Sequence, residues 1–124
     1  MIGYSEELRT TVGITVSYNL GSVERIPLGE GREYEVAGEL IAIFRERGRE
    51  RGRERGGELR AVQATCPHRG GALADGLIGA GKVVCPMHAF KFELSTGKPA
   101  GHDCAALKTY RVSVTPGGEI LLRL

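Results

Sequence analysis

Two short segments concentrate the residues that could do chemistry: Cys66-Pro67-His68-Arg69-Gly70-Gly71 and Cys85-Pro86-Met87-His88. The pattern is C-x-H, sixteen intervening residues, then C-x-x-H. Each half offers one thiolate and one imidazole, the donors that soft and borderline metals prefer. A proline directly after each cysteine fixes the backbone there. The glycines that end the first half suit a tight turn bringing N–H groups close to an anion. Two kinds of metal centre fit two Cys and two His. Zinc would gather all four side chains in one tetrahedral site, although structural zinc motifs commonly pair Cys with Cys and His with His. A [2Fe–2S] cluster would take two Cys on one iron and two His on the other, and two parallel mixed loops suit it because each can reach both irons. Chance placement of unrelated core cysteines and histidines is a poor explanation for two such matched boxes.

Short strands must position these boxes. Thr11 to Leu20 is rich in β-formers and reads as a strand. Ile26 to Gly31 is turn material, and Arg32 to Ala37 and Glu39 to Phe44 flank Gly38 as two strands around a tight turn. Glu58 to Thr65 alternates polar and apolar, as a half-buried strand should. Gly70 to Gly81 reads as loop, Lys82 to Val84 and Ala89 to Leu94 as short strands, Leu107 to Val114 as an alternating strand, and Glu119 to Leu124 as the last. No stretch shows a convincing helical period. The expected class is all-β, a small sandwich or barrel.

Composition sets the bounds. The 124 residues suit one domain, 1–124, and 41% hydrophobic with 26% charged residues is ordinary for a globular chain. No apolar run approaches the ~20 residues of a spanning helix, so no membrane role is expected. Residues 45–56 are three copies of Arg-Glu-Arg-Gly, a charged insertion in a hairpin with nothing apolar to bury. Outside Arg45 to Arg55 the chain holds 11 basic and 12 acidic residues, so the net charge of +2 is local and nucleic-acid binding has little support. Three cysteines, an odd number, argue against a disulfide framework. The first twenty residues carry neither a basic region nor a continuous apolar stretch, and a cytoplasmic location is expected.

At CPHRGG and CPMHAFKFELSTG the sequence resembles the Rieske [2Fe–2S] family, and the likeness extends over most of Val23 to Leu124. The resemblance implies an all-β domain of three small antiparallel sheets with a [2Fe–2S] cluster held by two loops at one tip. It implies that Cys66 and Cys85 bind the inner iron and His68 and His88 the outer one. With two thiolates the oxidised cluster is neutral, so it accepts an electron more readily than a four-thiolate cluster, and reduction should raise the pKa of the ligand imidazoles. High-potential members carry an extra disulfide and two hydroxyl donors. The matching positions here are Gly71 and Met87, and Phe90 and Phe92, so the chain resembles the low-potential branch. Its later part, including Thr109-Tyr110, is similar to the small subunit of assimilatory NAD(P)H nitrite reductase; the alternative is the ferredoxin of an aromatic-ring dioxygenase system.

The resulting expectation is an electron carrier, no enzyme by itself, that works with a redox partner such as a flavin reductase or a large oxidoreductase subunit. A zinc-stabilised interaction module without redox role is the competing class. Cys104 reads as a free, partly buried thiol and His102 as a surface histidine. Lys82, Lys91 and Arg69 read as solvated or partner-facing, and Phe90 and Phe92 as packing on alternate strand positions.

Overall fold

The run Leu40-Ile41-Ala42-Ile43-Phe44 explains the architecture, because both of its faces are covered. Ile41 and Ile43 enter one buried cluster, and Ala42 and Phe44 enter another. A strand buried on both sides reads as a continuous apolar run instead of an alternating one. The computed structural model describes residues 2–4, 9–12, 15–47, 57–67, 70–87 and 89–124, with side chains from residue 16 onward. The strands are β1 (Ile2–Tyr4), β2 (Arg9–Val12), β3 (Thr15–Ser22), β4 (Gly31–Val36), β5 (Glu39–Glu46), β6 (Glu58–Gln63), β7 (Leu77–Gly79), β8 (Lys82–Val84), β9 (Lys91–Glu93), β10 (Pro99–Ala100), β11 (Thr109–Val114) and β12 (Glu119–Arg123). Two 3₁₀ turns, Val23–Arg25 and Leu73–Asp75, complete the regular structure of the described residues, which include no α-helix.

Eight strands form one sheet in the order β1-β4-β5-β6-β11-β12-β3-β2, and four form a second in the order β10-β9-β8-β7. Pairing is antiparallel except between β1 and β4. The large sheet folds over on itself at β11. Tyr34, Ile41, Ile43, Leu59 and Ala61 from one half meet Tyr18, Leu20, Ile120 and Leu122 from the other to make the first core. The opposite face of β5 and β6 carries Ala42, Phe44, Val62 and the following Ala64. These pack on Val83 and Phe92 of the small sheet to make the second core. Two of the three expected sheets are thus halves of one, joined through β11, which pairs with both β6 and β12.

Several local expectations change. The single strand expected over Thr11 to Leu20 is part of a hairpin, because β2 pairs back on β3 with Val12 opposite Thr15. The expected loop Gly70 to Gly81 contains a 3₁₀ turn and β7, elements too short to show a period. Most of the Arg-Glu-Arg-Gly repeat, residues 48–56, lies outside the described residues. Its start does not behave as insertion. Arg45 is 6% exposed, pairs with Leu59 in the β5–β6 ladder, and donates from Nη1 to the carbonyls of Ile26 at 3.0 Å and Val23 at 3.4 Å. The guanidinium serves carbonyls of the Val23–Arg25 turn and the residue after it, a buried use that a charge run does not reveal.

Candidate metal centre

β6 runs through Ala64 and Thr65 into the first box. The Thr65–Ala72 bridge closes that loop at its base. β8 leads directly into the second box, and β9 leads out of it. The two loops have the same backbone wiring. The Cys66 N–H donates to the Gly71 carbonyl at 2.8 Å, and the Gly70 N–H donates to the Cys66 carbonyl at 2.8 Å. The Cys85 N–H donates to the Phe90 carbonyl at 2.7 Å, and the Ala89 N–H donates to the Cys85 carbonyl at 3.1 Å. The fourth residue after each cysteine is left-handed, Gly70 at φ 75° and Ala89 at φ 57°. Glycine adopts that conformation freely, whereas alanine does so under strain.

Both cysteines are free thiols, each 2% exposed, in the second core among Phe44, Leu73, Val83, Phe92 and Leu107. Burial pushes the Cys85 thiol up. The Met87 backbone N–H pulls it down, and the neighbouring Cys66 sulfur pushes it up again. Gly71 sits against this pair. A Cβ built there would lie 2.9 Å from Cys85 Sγ and 2.6 Å from Met87 Cγ. It would also lie 3.4 Å from Met87 Cβ, which puts the two positions where the resemblance locates the disulfide of high-potential members side by side. Gly and Met cannot form that bond.

The donor set fits a metal centre. The buried Cys85 thiol resists ionising, and a bound cation would supply the missing counter-charge. A backbone N–H aimed at one sulfur favours its thiolate form. His68 and His88, the other two expected ligands, and Arg69 lie outside the described residues. Among the described residues no group of three or more His, Cys, Asp and Glu side chains is placed to hold a metal ion. Lys91 is exposed and Lys82 half-buried on the small sheet. Phe92 is fully buried and Phe90 packs partly buried beside it, as their alternate positions suggest. Cys104 is free and half-buried against the same core. Burial, the Cys66 sulfur and Asp103 all push its thiol up, so it is a poor nucleophile. His102 is the residue the sequence undervalues. Its ring stacks on Phe90, and its Nε2 reaches the Lys91 backbone. Nothing in ligand spacing points to it.

The chain belongs to the Rieske [2Fe–2S] domain family, whose model matches residues 16–111. The cofactor of that family is a [2Fe–2S] cluster, and the all-β expectation holds. The chain is 29% identical over 96 residues, 74% of its length, to a Ralstonia protein, covering 81% of that protein. That relative is the ferredoxin component of naphthalene 1,2-dioxygenase/salicylate 5-hydroxylase systems. The present chain is also 39% identical over 56 residues, 45% of its length, to 4β-methylsterol monooxygenase of Methylococcus capsulatus, but spans only 13% of that protein. Of mouse and human apoptosis-inducing factor 3 it spans 11%. Among solved structures, its fold resembles a protein assigned as the small subunit of an NADH-dependent nitrite reductase of Mycobacterium tuberculosis. The TM-score is 0.76 at 22% identity, over 90% of this chain and 96% of that one. It also resembles the ferredoxin of carbazole 1,9a-dioxygenase from Nocardioides aromaticivorans IC177, at TM-score 0.71 and 24% identity, over 86% of this chain and 95% of that one.

Proposed function

We propose that this chain is a one-electron carrier whose cluster is held by Cys66 and Cys85 on the inner iron and His68 and His88 on the outer. The observation that carries this reading is the pair of buried cysteines on two identically wired loops, with Gly71 leaving no room for a side chain at the Cys85 sulfur. The bound cluster supplies reversible one-electron exchange. The protein's own contribution is to keep the sulfurs dry, hold them at fixed separation and limit the donors around them. Phe92 fills the space beside the cysteines with an apolar ring, and Phe90 packs partly buried at its edge. Fewer hydrogen bonds to the sulfurs leave the reduced state less stabilised, which places the potential toward the ~ −150 mV end of the Rieske range. A redox titration followed by EPR tests this; a positive potential would overturn the low-potential assignment.

The carrier delivers electrons to a separate protein in the cytoplasm and has no reaction of its own. No described helix is long and apolar enough to cross a membrane. We place it as a small redox subunit of a nitrite-reductase-type oxidoreductase. Support comes from Thr109-Tyr110 opening β11 and from the likeness to the mycobacterial small subunit. The ferredoxin reading is favoured by the Ralstonia relative, four-fifths of which the chain spans. Co-purification separates them: a large flavin- or siroheme-bearing subunit supports the first, and a ring-hydroxylating oxygenase the second. We place the repeat beyond Glu46 as an insertion between β5 and β6 of a single domain; Glu46 and Glu58 are paired across that hairpin.

A further inference from the structure

We propose that His102 is a positioning residue for the second ligand loop, acting through Phe90 and Lys91 on the backbone that holds Cys85. This rests on the reading of Cys85 and His88 as ligands. β10 pairs with β9, placing Ala100 opposite Lys91, and the chain then turns back so that His102 sits over the start of β9. The imidazole ring lies on Phe90, with centroids 4.0 Å apart and planes tilted by 40°. Its other aromatic neighbour is Phe92, met edge-on at 5.4 Å.

The polar edge is equally engaged. Nε2 lies 3.1 Å from the Lys91 amide nitrogen and 2.8 Å from the Lys91 carbonyl oxygen. Nδ1 lies 3.6 Å from Cys104 Sγ. Either neutral tautomer satisfies both ends. With the proton on Nδ1, Nε2 accepts from the Lys91 N–H and Nδ1–H points to the Cys104 sulfur. With the proton on Nε2, it donates to the Lys91 carbonyl and Nδ1 faces the thiol. One ring is therefore anchored to three consecutive residues, Phe90, Lys91 and Phe92.

Those residues are the exit of the ligand loop. The Phe90 carbonyl accepts the Cys85 N–H at 2.7 Å, and Lys91 pairs with Val84, the residue before Cys85. Shifting Phe90 or Lys91 therefore moves the backbone at Cys85 and at the residue before it. The loop also contains Ala89 at φ 57°, a conformation that persists only when its surroundings hold it. The first loop has glycine at the matching place and needs no such clamp. The arrangement assigns His102 the task of holding the strained loop closed.

The test is a series on the cluster-loaded full chain. His102→Phe keeps a ring without the nitrogen. His102→Gln keeps a polar group at the Nε2 position without the ring, and His102→Ala removes both. The readouts are the reduction potential, the EPR line shape of the reduced protein, and hydrogen exchange of peptides covering residues 82–92 against those covering β5. His102→Phe and His102→Ala should exchange at least tenfold faster at 82–92 while β5 is unchanged. They should shift the potential and broaden the EPR signal, and His102→Gln should restore all three toward wild type. A His102→Phe variant indistinguishable from wild type, or loss of cluster in all three variants alike with β5 equally destabilised, would reduce His102 to ordinary packing and overturn the proposal. Wild-type protein that takes up no iron would instead refute the ligand reading beneath it, whatever the variants do.

Discussion

Adding one methyl group at Gly71 probes the centre sharply. The Cβ of Gly71→Ala would lie 2.6 Å from Met87 Cγ and 2.9 Å from Cys85 Sγ. Met87 is 50% exposed and can swing aside. Cys85 is 2% exposed and held through its N–H by Phe90 and through its carbonyl by Ala89, so its sulfur has nowhere to go. Ordinary contact would require it to retreat by about 0.5 Å or more, whereas metal–ligand distances tolerate only ~0.2 Å. Overpacking of this kind destabilises by roughly 1–3 kcal/mol. The expected outcome is loss of most bound iron and sulfide, read by iron and acid-labile sulfide assays and visible absorption. Gly71→Ala combined with Met87→Ala should not recover it, because the contact with sulfur remains. A singly substituted protein with full loading, an unchanged EPR signal and unchanged stability would refute the packing argument.

Three further outcomes follow from individual contacts. Ala89→Gly relieves a left-handed alanine at φ 57° and should stabilise the protein by roughly 0.5–1 kcal/mol in chemical denaturation, whereas Gly70→Ala should destabilise by at least as much. Arg45→Ala strips charged donors from the carbonyls of Ile26 and Val23 and should destabilise by about 2–3 kcal/mol; a change below ~0.5 kcal/mol would show the buried guanidinium to be idle. The Tyr110 hydroxyl, donating to Glu39 at 2.8 Å, holds the Glu39 carboxyl below its ordinary value against the opposing effect of burial, with the Lys108 ammonium at 3.3 Å adding to the lowering. A lowered folded pKa stabilises above the unfolded value of ~4.3 and is lost as pH falls through the folded one. Tyr110→Phe should thus be less stable than wild type at neutral pH, the gap narrowing in acid. A gap that persists unchanged down to pH ~3 would contradict the assignment.

The alternating elements are legible in the sequence, as are the strands at Glu39 to Phe44 and Lys82 to Val84, whereas β7 and the pairing of β2 back on β3 are not. Glu58 to Gln63 alternates and is β6, and the Gly38 turn sits between β4 and β5 as its neighbours suggest. Leu40 to Phe44 signals a strand but not that it separates two cores, since that depends on the small sheet folding behind it. β7 holds three residues, and no period can appear in three. Arg45 looked like the start of a charge run because composition cannot show a guanidinium turned inward onto carbonyls. Cys66 and Cys85 stand out in the sequence because metal ligation would restrict both residue type and spacing. Their burial, and the equivalence of the two loops, follow from hydrogen bonds that no spacing encodes. His102 lies fourteen residues beyond His88 in an unrelated turn, and only the pairing of β9 with β10 brings it to the ligand loop.

Whether two thiolates and two imidazoles hold a two-iron cluster is the central claim. Iron and acid-labile sulfide content of anaerobically purified protein, with EPR after reduction, measures it directly. Two irons and two sulfides per chain with a Rieske-type EPR signal are the expected result. A colourless, EPR-silent protein holding one zinc per chain would contradict the electron-carrier function and leave a structural metal module in its place.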